Sequence, residues 1–140
     1  MTQTIFPGVT FTSLKKIKVV GGDVYHGLKC GDSSYTRFGE LYFSFIENGA
    51  IKGWKQHKVM RLNLMVPVGA VEFFIHCERE NRTVSLRIGD NNYGRLTIDP
   101  GYWVAFSGIS DGINMLANLA SIEHEPKEAI NVDIDRFSLS

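Results

Sequence analysis

Residues 40–69 read ELYFSFIENGAIKGWKQHKVMRLNLMVPVG, and this stretch decides the fold class. Asn48-Gly49 and Val68-Gly69 interrupt it with residue types that reverse a chain, because glycine takes positive φ at no steric cost and asparagine tolerates it. Between these breaks stand short runs of aliphatic, aromatic and β-branched residues at 40–46, 50–57 and 62–66. None holds a helical period for three turns. In Arg61-Leu62-Asn63-Leu64-Met65-Val66, alternation sets Leu62, Leu64 and Val66 on one face and Arg61, Asn63 and Met65 on the other. The first face is expected to be core and the second to carry polar groups.

Outward from this stretch the pattern repeats. Strand-like runs at 17–20, 24–28, 70–76, 84–88, 95–98, 103–107 and 113–119 are separated by Gly21-Gly22-Asp23, Gly89-Asp90-Asn91-Asn92, Asp99-Pro100-Gly101 and Ser110-Asp111-Gly112. Ten short strands at regular spacing predict an all-β sandwich or barrel. The tail at 123–129, EHEPKEA, reads as a loop with one helical turn after Pro126. With no repeat and no linker, residues 1–140 are expected to form a single domain.

Fifteen basic residues balance fifteen acidic ones, so the chain lacks the positive field that non-specific nucleic-acid binding draws on. The opening MTQTIFPGVTFTS has no charged region followed by a long apolar run, and no later stretch is apolar for the length of a bilayer. These features predict a soluble cytoplasmic protein with neither nucleic acid nor membrane as partner. Cys30 and Cys77 lie far apart and outside any close-spaced pair, as expected of two reduced, mostly buried thiols. The glycine-rich run at 89–94 precedes a strand-like segment, not a helix, so it lacks the N–H array of a phosphate loop.

The segment at 40–69 resembles the first half of a dTDP-4-dehydrorhamnose 3,5-epimerase-like cupin. So do NYGRLTIDPGYWVAFSG at 92–108, the later SIEHEPKEA, and GGDVYHGLKCGD at 21–32. The resemblance covers most of the chain and implies a double-stranded β-helix, the jelly-roll barrel of the cupins, with a short C-terminal tail. It also implies a homodimer whose barrel mouth binds a nucleotide-linked 4-keto-sugar in surface polysaccharide biosynthesis of the lipopolysaccharide O-antigen type, with no cofactor. Enzymes of this family remove protons beside the sugar ketone and return them on the opposite face.

That chemistry needs a base near the carbon, a donor on the other face and a partner for the enolate oxygen. The family's base is a histidine ending a basic-Gly-apolar-His motif. The matching residues here are Lys52-Gly53-Trp54-Lys55, which puts lysine at the base position, and the family's acidic tyrosine falls at Ala117. A lysine there needs a strongly depressed pKa to accept a proton. His57 is the other candidate base, because neutral imidazole suits the task near pH 7. The metal-binding pattern of other cupins would fall at Gly49, Lys55, His57, Arg61 and Val104, where one ligand of four survives, so no metal is expected.

Lys55 and His57 share one strand parity, and Arg61 and Asn63 share theirs on the next, so the four are expected to line one cavity wall and hold a sugar diphosphate. The alternative is a set of exposed strand residues that keep an edge soluble. Lys52 matches a basic position the family uses near substrate. Tyr42, Trp54, Tyr102 and Trp103 are candidates to stack on a base or sugar, with core packing as the alternative. Tyr25 and His26 fall where the family's N-terminal arm reaches across the dimer toward the neighbouring nucleotide. His76 and His124 read as structural and solvent-facing, respectively. Two functions follow: an epimerase-like isomerase with an altered acid/base set, or a catalytically silent sugar-nucleotide-binding cupin of the same pathway.

Overall fold

The alternation of Val9, Thr10, Phe11 and Thr12 buries Val9 and Phe11 and makes residues 9–13 a strand. The structure, a computed structural model, describes residues 1–140. It opens with the hairpin β1 (Thr2–Phe6) and β2 (Val9–Ser13), turned at Pro7-Gly8 with Gly8 at φ +83°. This hairpin lies outside the ten expected strands, although its alternation and Pro-Gly turn are present in the sequence. A second, short hairpin pairs β3 (Lys16–Ile17) with β4 (Val24–Tyr25). Both expected strands shrink to two residues, because this hairpin pairs with no other strand and leaves Val19 and Val20 exposed at its tip.

The remaining strands follow the sequence expectation closely: β5 (Glu40–Phe45), β6 (Ile51–His57), β7 (Leu62–Val68), β8 (Ala70–Cys77), β9 (Arg82–Gly89), β10 (Gly94–Ile98), β11 (Trp103–Gly108) and β12 (Met115–Ala120). A 3-10 turn over Pro126–Glu128 supplies the anticipated helical turn, and β13 (Ala129–Asn131) adds an edge strand. No helix is long and apolar enough to cross a membrane.

Two sheets result, a six-stranded one in the order β1-β2-β10-β7-β12-β5 and a five-stranded one in the order β13-β6-β11-β8-β9. Neighbouring strands are antiparallel and mostly distant in sequence, the order of a cupin jelly roll. Between the sheets, Phe6, Val9, Phe11, Phe73, Ile75 and Leu96 fill the half bounded by β2, β10, β8 and β9 with hydrocarbon. The half bounded by β5, β12, β6 and β13 stays open as a cavity.

Leu62, Leu64 and Val66 point inward as the alternation required. The opposite face of β7 departs from expectation. Asn63 and Met65 are buried too, because the irregular segment around 26–36 lies over that face. On the outside of the five-stranded sheet, Trp54, Phe74, Trp103 and Ala105 form a second apolar cluster, covered by Val132, Ile134, Phe137 and Leu139 of the tail. Cys77 is buried as expected, whereas Cys30 is exposed in the loop before Gly31.

Candidate active site

The cavity encloses about 350 Å³ between the two sheets. From the five-stranded sheet it is lined by Lys52, Lys55 and His57 of β6, Val104 and Phe106 of β11, and Asn131 of β13. Tyr42, Ser44, Leu64, Leu116 and Asn118 face them from the six-stranded sheet. Strict alternation would send Lys52 to the opposite face from Lys55 and His57. It does not, because Lys55 pairs with Val104 while Lys52 pairs with Phe106, so β6 carries one extra residue there. This bulge returns Lys52 to the cavity side. It depends on Gly53, whose φ is +136° and whose missing Cβ would stand 2.6 Å from the Cα of Ala105.

His57 stands at the end of β6 with Nδ1 hydrogen-bonded to Oε1 of Glu128. The other carboxylate oxygen of Glu128 accepts the backbone N–H groups of Lys58, Val59 and Met60 at 3.1, 3.0 and 3.2 Å. Burial pushes the Glu128 carboxyl up. The hydrogen bonds from His57, Val59 and Met60, with the His57 charge, outweigh this and hold it below its ordinary value. An ionised carboxylate is acceptor-only, so Nδ1 carries a proton, and in the neutral tautomer this selects, Nε2 is the lone pair. Glu128 is thus a positioning residue that fixes the orientation and tautomer of the His57 imidazole.

Across the cavity, the Tyr42 hydroxyl accepts a hydrogen bond from Asn118 Nδ2 at 2.9 Å and donates to Met60 Sδ at 3.9 Å. The amide of Asn118 is fixed in this sense because its Oδ1 accepts the backbone N–H of Asn63 at 3.1 Å. Sulfur is a weak acceptor, so the Tyr42 O–H can turn from Met60 to donate to a stronger acceptor in the cavity. Burial raises the Tyr42 pKa above 10.0 despite the bond from Asn118, so the phenol stays protonated at neutral pH. Lys52 reaches the rim, donating to the Phe45 carbonyl at 3.2 Å. The walls therefore present two lysines, an imidazole and a phenol, with the Glu128 carboxylate set behind His57.

The structure thus gathers four of the sequence candidates, Lys52, Lys55, His57 and Tyr42, in one cavity. It places the others elsewhere. Arg61 and Asn63 do not share the wall with Lys55 and His57, because their face of β7 is the outer one. Arg61 binds Asp99 at 2.8 Å and the Ser34 carbonyl at 3.0 Å. Asn63 bonds the Ser34 carbonyl at 3.1 Å and Thr97 at 2.7 Å. Trp103 and Trp54 pack outside the five-stranded sheet, donating to Glu78 and to the Ile134 carbonyl. Tyr102 stacks on Phe6 and donates to the Pro7 carbonyl at the closed end. Tyr25 and His26 lie on the outer face with the short hairpin, Tyr25 donating to Asp90 at 3.3 Å. His76 is buried against Phe137 and bonded to Thr83, the structural role read from its neighbours. Ala117 faces away from the cavity, between its inward neighbours Leu116 and Asn118.

Glu128, Asn118, Ser44 and Asn131 were not singled out in the sequence. No local spacing betrays a carboxylate 71 residues from the histidine it orients. The one available signal was its place just after Pro126, in a segment that resembles the family.

No protein-family model and no curated protein matches the chain. Solved structures do. A dTDP sugar isomerase from Desulfovibrio desulfuricans G20 superposes with a TM-score of 0.89 at 30% identity, over 94% of this chain and 90% of that one. A dTDP-4-dehydrorhamnose 3,5-epimerase from Sulfolobus tokodaii superposes with a TM-score of 0.85 at 15% identity, over 99% of this chain and 84% of that one. A sugar 3,4-ketoisomerase from Thermoanaerobacterium thermosaccharolyticum, solved with TDP, gives 0.75 at 19%, over 91% and 90%. The last two share the fold, which is that of a cupin jelly roll. The chain belongs to the dTDP-sugar isomerase and dTDP-4-dehydrorhamnose 3,5-epimerase family of cupins.

Proposed function

We propose that the protein is a metal-independent, epimerase-like isomerase of a thymidine-diphosphate-linked keto-sugar, acting in the cytoplasm as a single-domain subunit in surface polysaccharide biosynthesis of the lipopolysaccharide O-antigen type. The observation that carries this reading is the Glu128-oriented imidazole of His57 on a wall shared with Lys52 and Lys55, across from the Tyr42 hydroxyl. The diphosphate sits against Lys52 and Lys55, whose charges no cavity carboxylate cancels. Nε2 of His57 takes the proton from the carbon beside the ketone. The electron pair moves onto the carbonyl oxygen, and the resulting enolate accepts the Tyr42 O–H. A proton from solvent then adds to the opposite face of the carbon as the enolate collapses, and Nε2 releases its proton to solvent, which completes the inversion and restores the base. A metal has no place in this scheme on chemical grounds, because the cavity wall sets two ammonium groups beside a single imidazole, a donor set that does not suit a divalent ion.

The family resemblance further supports a homodimer. Leu41, Phe43 and Phe45 expose an apolar ladder on edge strand β5, and Val19, Val20 and Val24 expose another on the short hairpin. Such surfaces are seldom left bare. In that assembly Tyr25 and His26 stand at the hairpin base, the segment the family extends toward the neighbouring nucleotide.

A silent sugar-nucleotide-binding protein is the second reading, favoured by Lys55 at the position where the resemblance puts the family's base. Thermal unfolding with thymidine diphosphate tests what the two readings share. A nucleotide at a hundredfold excess over its Kd stabilises the fold by about 2.7 kcal/mol, so a clear rise in Tm is expected. No rise with any nucleotide would count against both.

A further inference from the structure

A second cleft, of about 250 Å³, lies on the outer face of the six-stranded sheet, so that the sheet itself separates it from the cavity. Its floor is Arg95, near the start of β10 between Thr12 of β2 and Met65 of β7. Its rim is Ser13, Lys15, His26, Lys29 and Asp32. Arg95 is only 3% exposed. Both of its hydrogen bonds leave through Nη1, to the Gly27 carbonyl at 2.6 Å and to Asp32 Oδ2 at 3.4 Å. Its Nε is buried without any partner.

A buried guanidinium donor with no acceptor is costly, and native chains seldom leave one so. The edge of guanidinium that carries Nε is the one that forks two N–H groups toward carboxylate or phosphate. The lip over it is held close, since a Cβ at Gly27 would approach Met65 Sδ to 3.1 Å. Lys15 and Lys29 are exposed at the rim, and Asp32 is the one carboxylate lining the cleft against three cations. Thr12, the cross-strand neighbour of Arg95, brings a hydroxyl to the same face, where it is paired with the Thr2 hydroxyl at 3.2 Å.

We propose that this cleft is a phosphate-binding site, in which a tetrahedral oxyanion supplies the acceptor that Arg95 Nε lacks and is neutralised by Lys15 and Lys29. The site is separate from the keto-sugar cavity and does not depend on the reading of that cavity.

The test is a titration of the full-length, isotope-labelled protein with inorganic phosphate, followed by NMR at the Arg95 Nε–Hε group and the backbone amides. Saturable shifts are expected at Arg95, Gly27 and Lys29, with Lys55 and His57 unmoved. The double variant K15A/K29A, altered only at exposed positions, is expected to bind phosphate at least tenfold more weakly. R95K, which keeps the charge but loses the fork, is expected to abolish the shifts, with circular dichroism confirming its fold. If R95K does not fold, the double variant decides. A second arm uses thymidine diphosphate, which is expected to move the cavity and cleft signals in two separate transitions. Absence of a saturable shift at Arg95, unchanged phosphate affinity in K15A/K29A, or a single shared transition with the nucleotide would overturn the proposal.

Discussion

Nδ1 of His57 is hydrogen-bonded to a carboxylate oxygen of Glu128, whose second oxygen is held by three consecutive backbone N–H groups, those of Lys58, Val59 and Met60. The tail after Pro126 thereby sets the ring orientation at the end of β6, joining a long-range fold contact to the chemistry of the cavity.

Glu128→Gln removes the charge and turns one acceptor oxygen into an amide that faces donors. We expect kcat to fall about 10- to 100-fold with nucleotide affinity retained, and stability to fall by about 1–3 kcal/mol. The wild-type carboxyl is depressed in the folded state, so its contribution is complete above its unfolded pKa and drains away as pH falls through the folded value. Between about pH 5 and 3 the urea midpoint of the wild type should therefore fall more steeply than that of E128Q. Parallel curves would show that Glu128 carries no such linkage.

Gly53→Ala tests the bulge that turns Lys52 into the cavity. The added Cβ meets Ala105 Cα at 2.6 Å and the Val104 carbonyl at 2.9 Å, at a φ that L residues rarely adopt. A loss of about 2–4 kcal/mol in chemical denaturation is expected. Loss of nucleotide affinity should accompany it. A variant as stable as the wild type would mean that β6 accommodates a side chain at this point.

The strands from 40 to 120 were legible because each is short, alternates or runs apolar, and ends at a glycine, asparagine or proline turn. Their partners were not, since β2 pairs with β10 and β7 with β12 across long stretches of chain that leave no trace in local pattern. The cavity was half legible. Lys55 and His57 share parity on one strand, and that much follows from period two. Lys52 joins them through a bulge that alternation cannot foresee, and Arg61 and Asn63 leave the group because their face of β7 turns away and is roofed by residues 26–36. Trp103 failed as a ligand-stacking residue for a related reason: parity alone does not say which face of a strand meets the cavity and which meets the tail.

Tyr42→Phe leaves the ring packed and removes the hydroxyl that Asn118 orients. A drop in kcat of about 10²-fold or more is expected, with little change in thermal stability. Burial holds the Tyr42 phenol above 10.0, so wild-type activity should show no loss from its ionisation between about pH 7 and 9. Unchanged turnover in Y42F would remove Tyr42 from the mechanism.

Phe43→Arg places a charge in the middle of the exposed ladder, where Phe43 is 54% exposed and Phe45 60%. A dimer in sedimentation equilibrium is expected to become a monomer, with the unfolding midpoint of the subunit nearly unchanged because the side chain touches no core. Dimerisation that survives the substitution would place the interface on another surface.

The central claim is that the imidazole of His57 removes a proton from carbon within the cavity. Its most direct test is incubation of the protein in D2O with TDP-4-keto-6-deoxyglucose, the ligand of one ketoisomerase with this fold, while proton NMR follows the sugar hydrogen beside the ketone. The account predicts that this signal decays with wild-type protein and persists with His57→Asn, which still binds the nucleotide. Decay at an equal rate with His57→Asn, or a wild-type protein that binds the sugar nucleotide tightly yet leaves every carbon-bound hydrogen in place, would contradict it.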